Sequence, residues 1–124
     1  MASILIVDDS KFMRKMLSDI LTEEGHQIAG EAENAMEAIE LYKVLNPDLV
    51  TLDVIMPEVE GVDTYSAVKE IVKMDSGTKI IIISTMGQEE IVKEYIEAGA
   101  KDFIIKPFQA SDVAKAVTNA IVNS

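Results

Sequence analysis

The chain has 124 residues, 48% of them hydrophobic and 27% charged, with a net charge of −11 and no cysteine. That is enough chain for one domain with a real core, and an ordinary composition for a soluble globular protein. It excludes disulfides and thiolate metal sites, excludes a histidine-rich zinc site because His26 is the single histidine, and argues against nucleic acid, whose phosphates the net charge would repel.

Ile4 to Val7 reads as a short buried strand, apolar without alternation, as suits a parallel strand covered on both faces. Met1-Ala2-Ser3 leads straight into it, so no signal peptide is expected. The strand runs into Asp8 and Asp9. After Ser10, the residues Phe12, Met13, Met16, Leu17, Ile20 and Leu21 form one apolar stripe of a helix, which Gly25 ends. Gln27 to Ala32 predicts a weaker strand with little bulk, near a sheet edge. Asn34 suits the cap of a second helix, with Glu37 three residues on as in a capping box. Ala35, Ala38, Ile39, Tyr42 and Leu45 face inward there, and Asn46-Pro47 ends it.

Leu49 to Asp53 is the third strand, followed by a loop through Met56-Pro57 to Gly61. A third helix, running to about Met74, would turn Val62, Tyr65, Val68 and Val72 inward. Ser76-Gly77 turns the chain into Ile80 to Ile83, four isoleucines that end at Ser84-Thr85. A fourth helix covers Gln88 to Ala98, with Glu89 and Glu90 well placed in its first turn, and Gly99 closes it. Phe103 to Ile105 is the fifth strand. It runs into Lys106-Pro107, a bond the sequence leaves open between cis and trans. A last helix carries Val113, Val117, Ala120 and Ile121 inward. No apolar run approaches the ~20 residues of a membrane span, so no membrane partner and a cytoplasmic location are expected.

Strand and helix alternate five times without repeat or linker, which predicts one α/β domain: an open, doubly wound parallel sheet with helices on both faces. Such sheets bind ligands beyond the carboxyl ends of their strands, where the winding reverses. Asp8, Asp9, Asp53, Ser84 and Lys106 all fall at such ends. An acid at the tip of a buried strand is expensive unless a charge meets it. Two carboxylates about 4 Å apart repel by roughly 4 kcal/mol at an effective dielectric of about 20. Three must hold protons or bind a cation, and Lys106 offers a counter-charge. The donors are all oxygen, which suits magnesium (or manganese), a hard ion that keeps several waters, takes one or two carboxylates and completes its shell with a phosphate. A carboxylate beside such an ion can attack phosphorus and form an aspartyl phosphate. Phosphoryl transfer then needs charge stabilisation on the equatorial oxygens, which Lys106 and the hydroxyl of Ser84 or Thr85 can supply.

Taken together, these residues resemble the receiver domain of two-component response regulators, along the whole chain. The family pattern is an acidic pair after the first strand (Asp8-Asp9), an acceptor aspartate after the third (Asp53), then Met56-Pro57 and Gly61, Ser or Thr after the fourth, and Lys106-Pro107-Phe108 after the fifth. Ser10-Lys11-Phe12-Met13-Arg14-Lys15 and Lys106-Pro107-Phe108-Gln109 are most similar to the stand-alone chemotaxis regulators, especially those of archaea and deep-branching or Gram-positive bacteria. The resemblance implies a flavodoxin-like (βα)5 fold; its sheet order, 2-1-3-4-5, is the one known for this family and is taken from the resemblance. It implies a single receiver domain over residues 1–124 without an output domain, a monomer, and a signalling protein rather than an enzyme.

The roles it implies are specific. Asp53 would be the nucleophile that takes a phosphoryl group from a kinase phosphohistidine. Asp9, Asp53 and the backbone carbonyl of Ile55 would bind magnesium directly, with Asp8 acting largely through a metal-bound water. Ser84, chosen over Thr85 by alignment to the pattern, and Lys106 would grip the phosphoryl oxygens. When Ser84 moves towards the phosphate, Phe103 would turn inward as the aromatic switch. Many chemotaxis members have Tyr there, so a hydroxyl contact is lost and switching would rest on burial. The partners implied are a histidine kinase of the CheA type, a flagellar or archaellar motor switch or adaptor protein, and a phosphatase. The flanking Ile55 and Met86 are both apolar and cannot orient an attacking water, so slow self-dephosphorylation is expected. The segment 61–79 looks slightly longer than in similar members of the family.

Three rival readings are weaker. An aspartyl phosphatase typically carries a second acid two residues after the first, and Ile55 stands there. A flavodoxin-like cofactor binder would place a phosphate loop after the first strand, where Asp8 and Asp9 would repel it. A stand-alone phosphorelay intermediate outside chemotaxis keeps the chemistry and changes only the pathway.

Overall fold

A computed structural model describes residues 1–123. The alternation read from the sequence is present in full: β1 (Ser3–Val7), α1 (Lys11–Glu23), β2 (Gln27–Ala32), α2 (Ala35–Leu45), β3 (Leu49–Leu52), α3 (Thr64–Met74), β4 (Lys79–Ser84), α4 (Glu89–Ala98), β5 (Asp102–Ile105) and α5 (Ala110–Val122). The five strands form one sheet in the order β2-β1-β3-β4-β5, and every pairing is parallel. This is the flavodoxin-like doubly wound sheet, in the expected order. The winding reverses between β1 and β3, the strands that lead into the acidic residues.

Side-chain alternation explains why the central strands are apolar on both faces along most of their length. Ile80 and Ile82 point to one face, into a core with Leu5, Val50, Leu52 and residues of α2, α3 and α4. Ile81 and Ile83 point to the other, against Ile4, Ile6 and residues of α1 and α5. A strand buried on both faces has no solvent side to mark with polar residues. β2 lies at the edge and is the least buried of the strands around β1, as its small residues suggest.

Three details differ from the sequence reading. Phe12 is not in the α1 stripe but 72% exposed. It shares a flank with Met16 and Ile20, both only partly buried, and lies in the first turn beside the rim. Leu17 and Leu21 form the buried line, together with Arg14. Helix α3 begins later than expected, capped by Asp63, and buries Thr64, Ala67, Val68 and Ile71. Val62 precedes that helix and packs with Ala35, Ile39 and Ala67 instead, while Tyr65 and Val72 flank the core. At α2, Asn34 accepts the Glu37 N–H at 2.8 Å, but the Glu37 carboxylate returns to the N–H of Glu33, at 2.9 Å, and not to that of Asn34.

Candidate functional site

The rim beyond the carboxyl ends of the strands is seated by hydrogen bonds that extend the sheet by one residue. The N–H of Asp8 donates to the carbonyl of Ala32 at 3.0 Å, that of Asp53 to Val7 at 3.1 Å, and that of Lys106 to Ser84 at 2.8 Å. Asp53, expected as the last residue of β3, is thus the first residue beyond it. Each charged side chain is delivered by a strand that cannot move without breaking the sheet.

Lys106 is the centre of the arrangement. Its Nζ donates to Asp8 Oδ2 at 2.8 Å and to Asp53 Oδ2 at 2.9 Å. Both acids are nearly inaccessible, Asp8 at 1% and Asp53 at 6%. Their remaining oxygens are held by backbone: Asp8 Oδ1 accepts the Ser10 N–H at 2.9 Å, and Asp53 Oδ1 accepts the Ile55 N–H at 3.1 Å. Burial pulls the Lys106 pKa down, but the hydrogen bonds and charges of Asp8 and Asp53 outweigh it and hold the ammonium above its ordinary value. The peptide bond from Lys106 to Pro107 is cis.

Asp9 is exposed beside this pair. Carboxylate oxygens of Asp8, Asp9 and Asp53 all lie within 4.8 Å of one another. Two buried acids share one lysine, and a third acid faces the same space. The cluster keeps negative charge that a hard cation would neutralise.

The other expected residues surround this centre. Ser84 is fully buried, and its Oγ accepts the Met86 N–H at 3.3 Å; Thr85 is exposed. The Ile55 side chain is half-exposed. Phe103 is partly buried against the core. Its ring is 6.3 Å from that of Tyr95 at an interplanar angle of 65°, and Tyr95 meets Tyr65 at 5.6 Å and 85°. Burial, with the charges of Asp63 and Glu94, pushes the Tyr95 hydroxyl up to about 12.

For two residues at the site, nothing in the sequence pointed to a role there. Thr64 is buried at the start of α3, and its hydroxyl donates to the carbonyls of Asp53, at 2.9 Å, and Val54, at 3.2 Å. Arg14, on α1, donates from Nη1 to the carbonyl of Asp8 at 2.7 Å. Arg14 stood in the sequence only within the stretch Ser10 to Lys15 that shares in the family resemblance, with no role of its own, and Thr64 as a residue within a helix.

Residues 4–118 match the family model of the response regulator receiver domain. The chain is 57% identical to the chemotaxis protein CheY of Thermotoga maritima over 92% of each chain. It is 50% identical to CheY of Bacillus subtilis, over 95% of this chain and 96% of that one. Among solved structures it is similar to the crystal structure of the CheX–CheY–BeF3–Mg2+ complex from Borrelia burgdorferi, with a TM-score of 0.89 and 38% identity, covering 96% of this chain and 88% of that chain.

Proposed function

The chain belongs to the response regulator receiver family, closely related to the CheY chemotaxis regulators, and on that premise we propose that it is a phosphoryl-accepting switch in chemotaxis or motility control. The single observation that carries the reading is Lys106 Nζ lying between Asp8 and Asp53, with Asp9 in the same cluster.

Asp53 is the acceptor. The phosphorus–nitrogen bond of a kinase phosphohistidine breaks as a carboxylate oxygen of Asp53 bonds to phosphorus; the electron pair passes to the imidazole, which takes a proton from solvent. Asp8, Asp9, Asp53 and the carbonyl of Ile55 are the oxygen donors suited to magnesium or manganese, which when bound supplies positive charge to the phosphoryl oxygens. Lys106 contributes a second positive charge from the carboxyl end of β5. Ser84 Oγ accepts the Met86 N–H, and so keeps its own proton to donate to a phosphoryl oxygen. A pull on Ser84 is a pull on the loop after β4. Phe103 pairs beside Ile82 on the neighbouring strand, and in this reading its ring turns further into the core when Ser84 moves.

The partners that fit are a histidine kinase of the CheA type, a motor switch or adaptor protein, and a phosphatase; the solved complex of a relative with CheX supports the binding of a further protein partner. A cytoplasmic, monomeric regulator fits these partners; among the described residues no helix is long and apolar enough to cross a membrane.

The test is intact mass after incubation with acetyl phosphate and magnesium. One added phosphoryl group is expected, absent from Asp53→Asn and from a sample with chelator. Because Ile55 and Met86 offer no polar side chain to a water, the adduct should persist for minutes or longer after the donor is removed. Decay within seconds would refute that part. No uptake from either acetyl phosphate or a phosphohistidine protein would overturn the reading as a whole.

A further inference from the structure

Arg14 is an arginine almost wholly covered, at 8% exposure, on the helix that follows the acidic pair. Burying a guanidinium is costly unless its donors are met. Here Nε donates to Glu31 Oε1 of the edge strand at 2.8 Å, Nη1 donates to the Asp8 carbonyl at 2.7 Å, and Nη2 lies 3.7 Å from Glu33 Oε1. The two glutamates fix the plane of the fork, and the fork aims one donor at a backbone carbonyl of the site.

That carbonyl belongs to the peptide joining Asp8 to Asp9. The Asp8 side chain is secured independently, by the Ser10 N–H and by Lys106, and its N–H is secured by Ala32. The Arg14 bond acts on the next link, the plane that decides where Asp9 points. We infer that Arg14 is a positioning residue for cation binding: it orients the Asp8–Asp9 peptide so that the exposed Asp9 carboxylate joins the buried pair. The inference rests on the reading of the acidic cluster as a divalent-cation site.

Geometry and bulk charge make opposite predictions. Removing a positive charge beside three acids would, by electrostatics alone, leave magnesium binding equal or tighter. Loss of an orienting bond weakens it, by ~10-fold as is usual for residues that hold metal ligands in place. A lysine keeps the charge but cannot make the forked contact, so it should not restore binding.

The experiment is calorimetric titration of the full chain with magnesium chloride for wild type, Arg14→Ala, Arg14→Lys and Glu31→Gln, with thermal melts to establish folding. Weakening by about 10-fold is expected in both Arg14 variants, and a smaller loss in Glu31→Gln, whose exposed side chain keeps its size and leaves Arg14 in place. Glu31→Gln keeps the question open to refutation if the Arg14 variants fail to fold. Combining Arg14→Ala with Asp9→Asn should add little to Asp9→Asn alone, since the arginine acts through Asp9. Folded variants that bind magnesium as tightly as wild type, or an additive double variant, would overturn the inference. A wild-type chain that binds no magnesium would overturn the cation site itself, and the positioning role with it.

Discussion

At the scale of single residues, the site depends on one lysine serving two acids. Asp8 and Asp53 are buried side by side and share Lys106 as their ion-pair partner. Deleting one member of a buried ionic group leaves uncompensated charge, which costs on the order of 3 kcal/mol. Lys106→Ala should therefore unfold at lower urea in the presence of chelator, and magnesium should restore a large part of the loss. Equal destabilisation with and without magnesium would show that the lysine is needed for packing and not for charge. Asp8, Asp9, Asp53 and Lys106 were legible in the sequence because each follows an apolar run, and charge at the end of a buried strand is locally conspicuous. Arg14 and Thr64 were not legible. Their importance lies in bonds to backbone carbonyls, which no residue type advertises.

At the scale of elements, side-chain caps set where several helices begin. Ser10 accepts the Met13 N–H and opens α1, so the residue after the acidic pair also starts the helix that carries Arg14. Asp63 accepts the Ser66 N–H at 2.8 Å, and this bonding holds its carboxyl below the ordinary range. Asp63 therefore starts α3 later than Gly61, and puts Thr64 where its hydroxyl reaches the Asp53 carbonyl. The apolar pattern predicts an earlier start because Val62 fits a helical stripe as well as it fits its separate contact with Ala35, Ile39 and Ala67. The end of α4 is more tightly determined. Gly99 has φ +125, and a Cβ there would lie 2.7 Å from Val72 Cγ2 of α3. Gly99→Ala meets both backbone strain and a clash, at an expected cost of about 1–3 kcal/mol. Urea denaturation would read it, and an unchanged midpoint would mean that the α3–α4 contact yields freely.

At the scale of the whole molecule, stability should depend on pH through the junction of the first two strands. His26 Nδ1 accepts the N–H of Ala2 at 3.1 Å, a bond that requires that nitrogen to be unprotonated. Burial, then the charge of the N-terminus, lowers the His26 pKa from 6.5. The unfolded chain therefore takes up this proton at a higher pH than the folded one. Between the two values the unfolded state holds more protons, so stability falls as pH drops below about 6.5 and levels off below the folded value. Urea midpoints from pH 7.5 down to pH 5.5, a range chosen to lie above ordinary carboxylate titration, should show this fall, and His26→Gln should flatten it. A fall of the same size in the variant would place its origin elsewhere.

The sequence by itself determined the alternation of strands and helices, and with it the two-sided sheet, because buried strands, helix stripes and chain breakers are local patterns. It also determined which strand ends carry charge. The tertiary structure decided what those charges meet. It placed Lys106 between Asp8 and Asp53, 98 and 53 residues away along the chain. It turned Phe12 out and Arg14 in on the same helix, and put the Ser84 hydroxyl, not that of Thr85, inside the molecule. These outcomes depend on which side of an element faces a neighbour far away in sequence, and only packing and backbone hydrogen bonding across the sheet settle that.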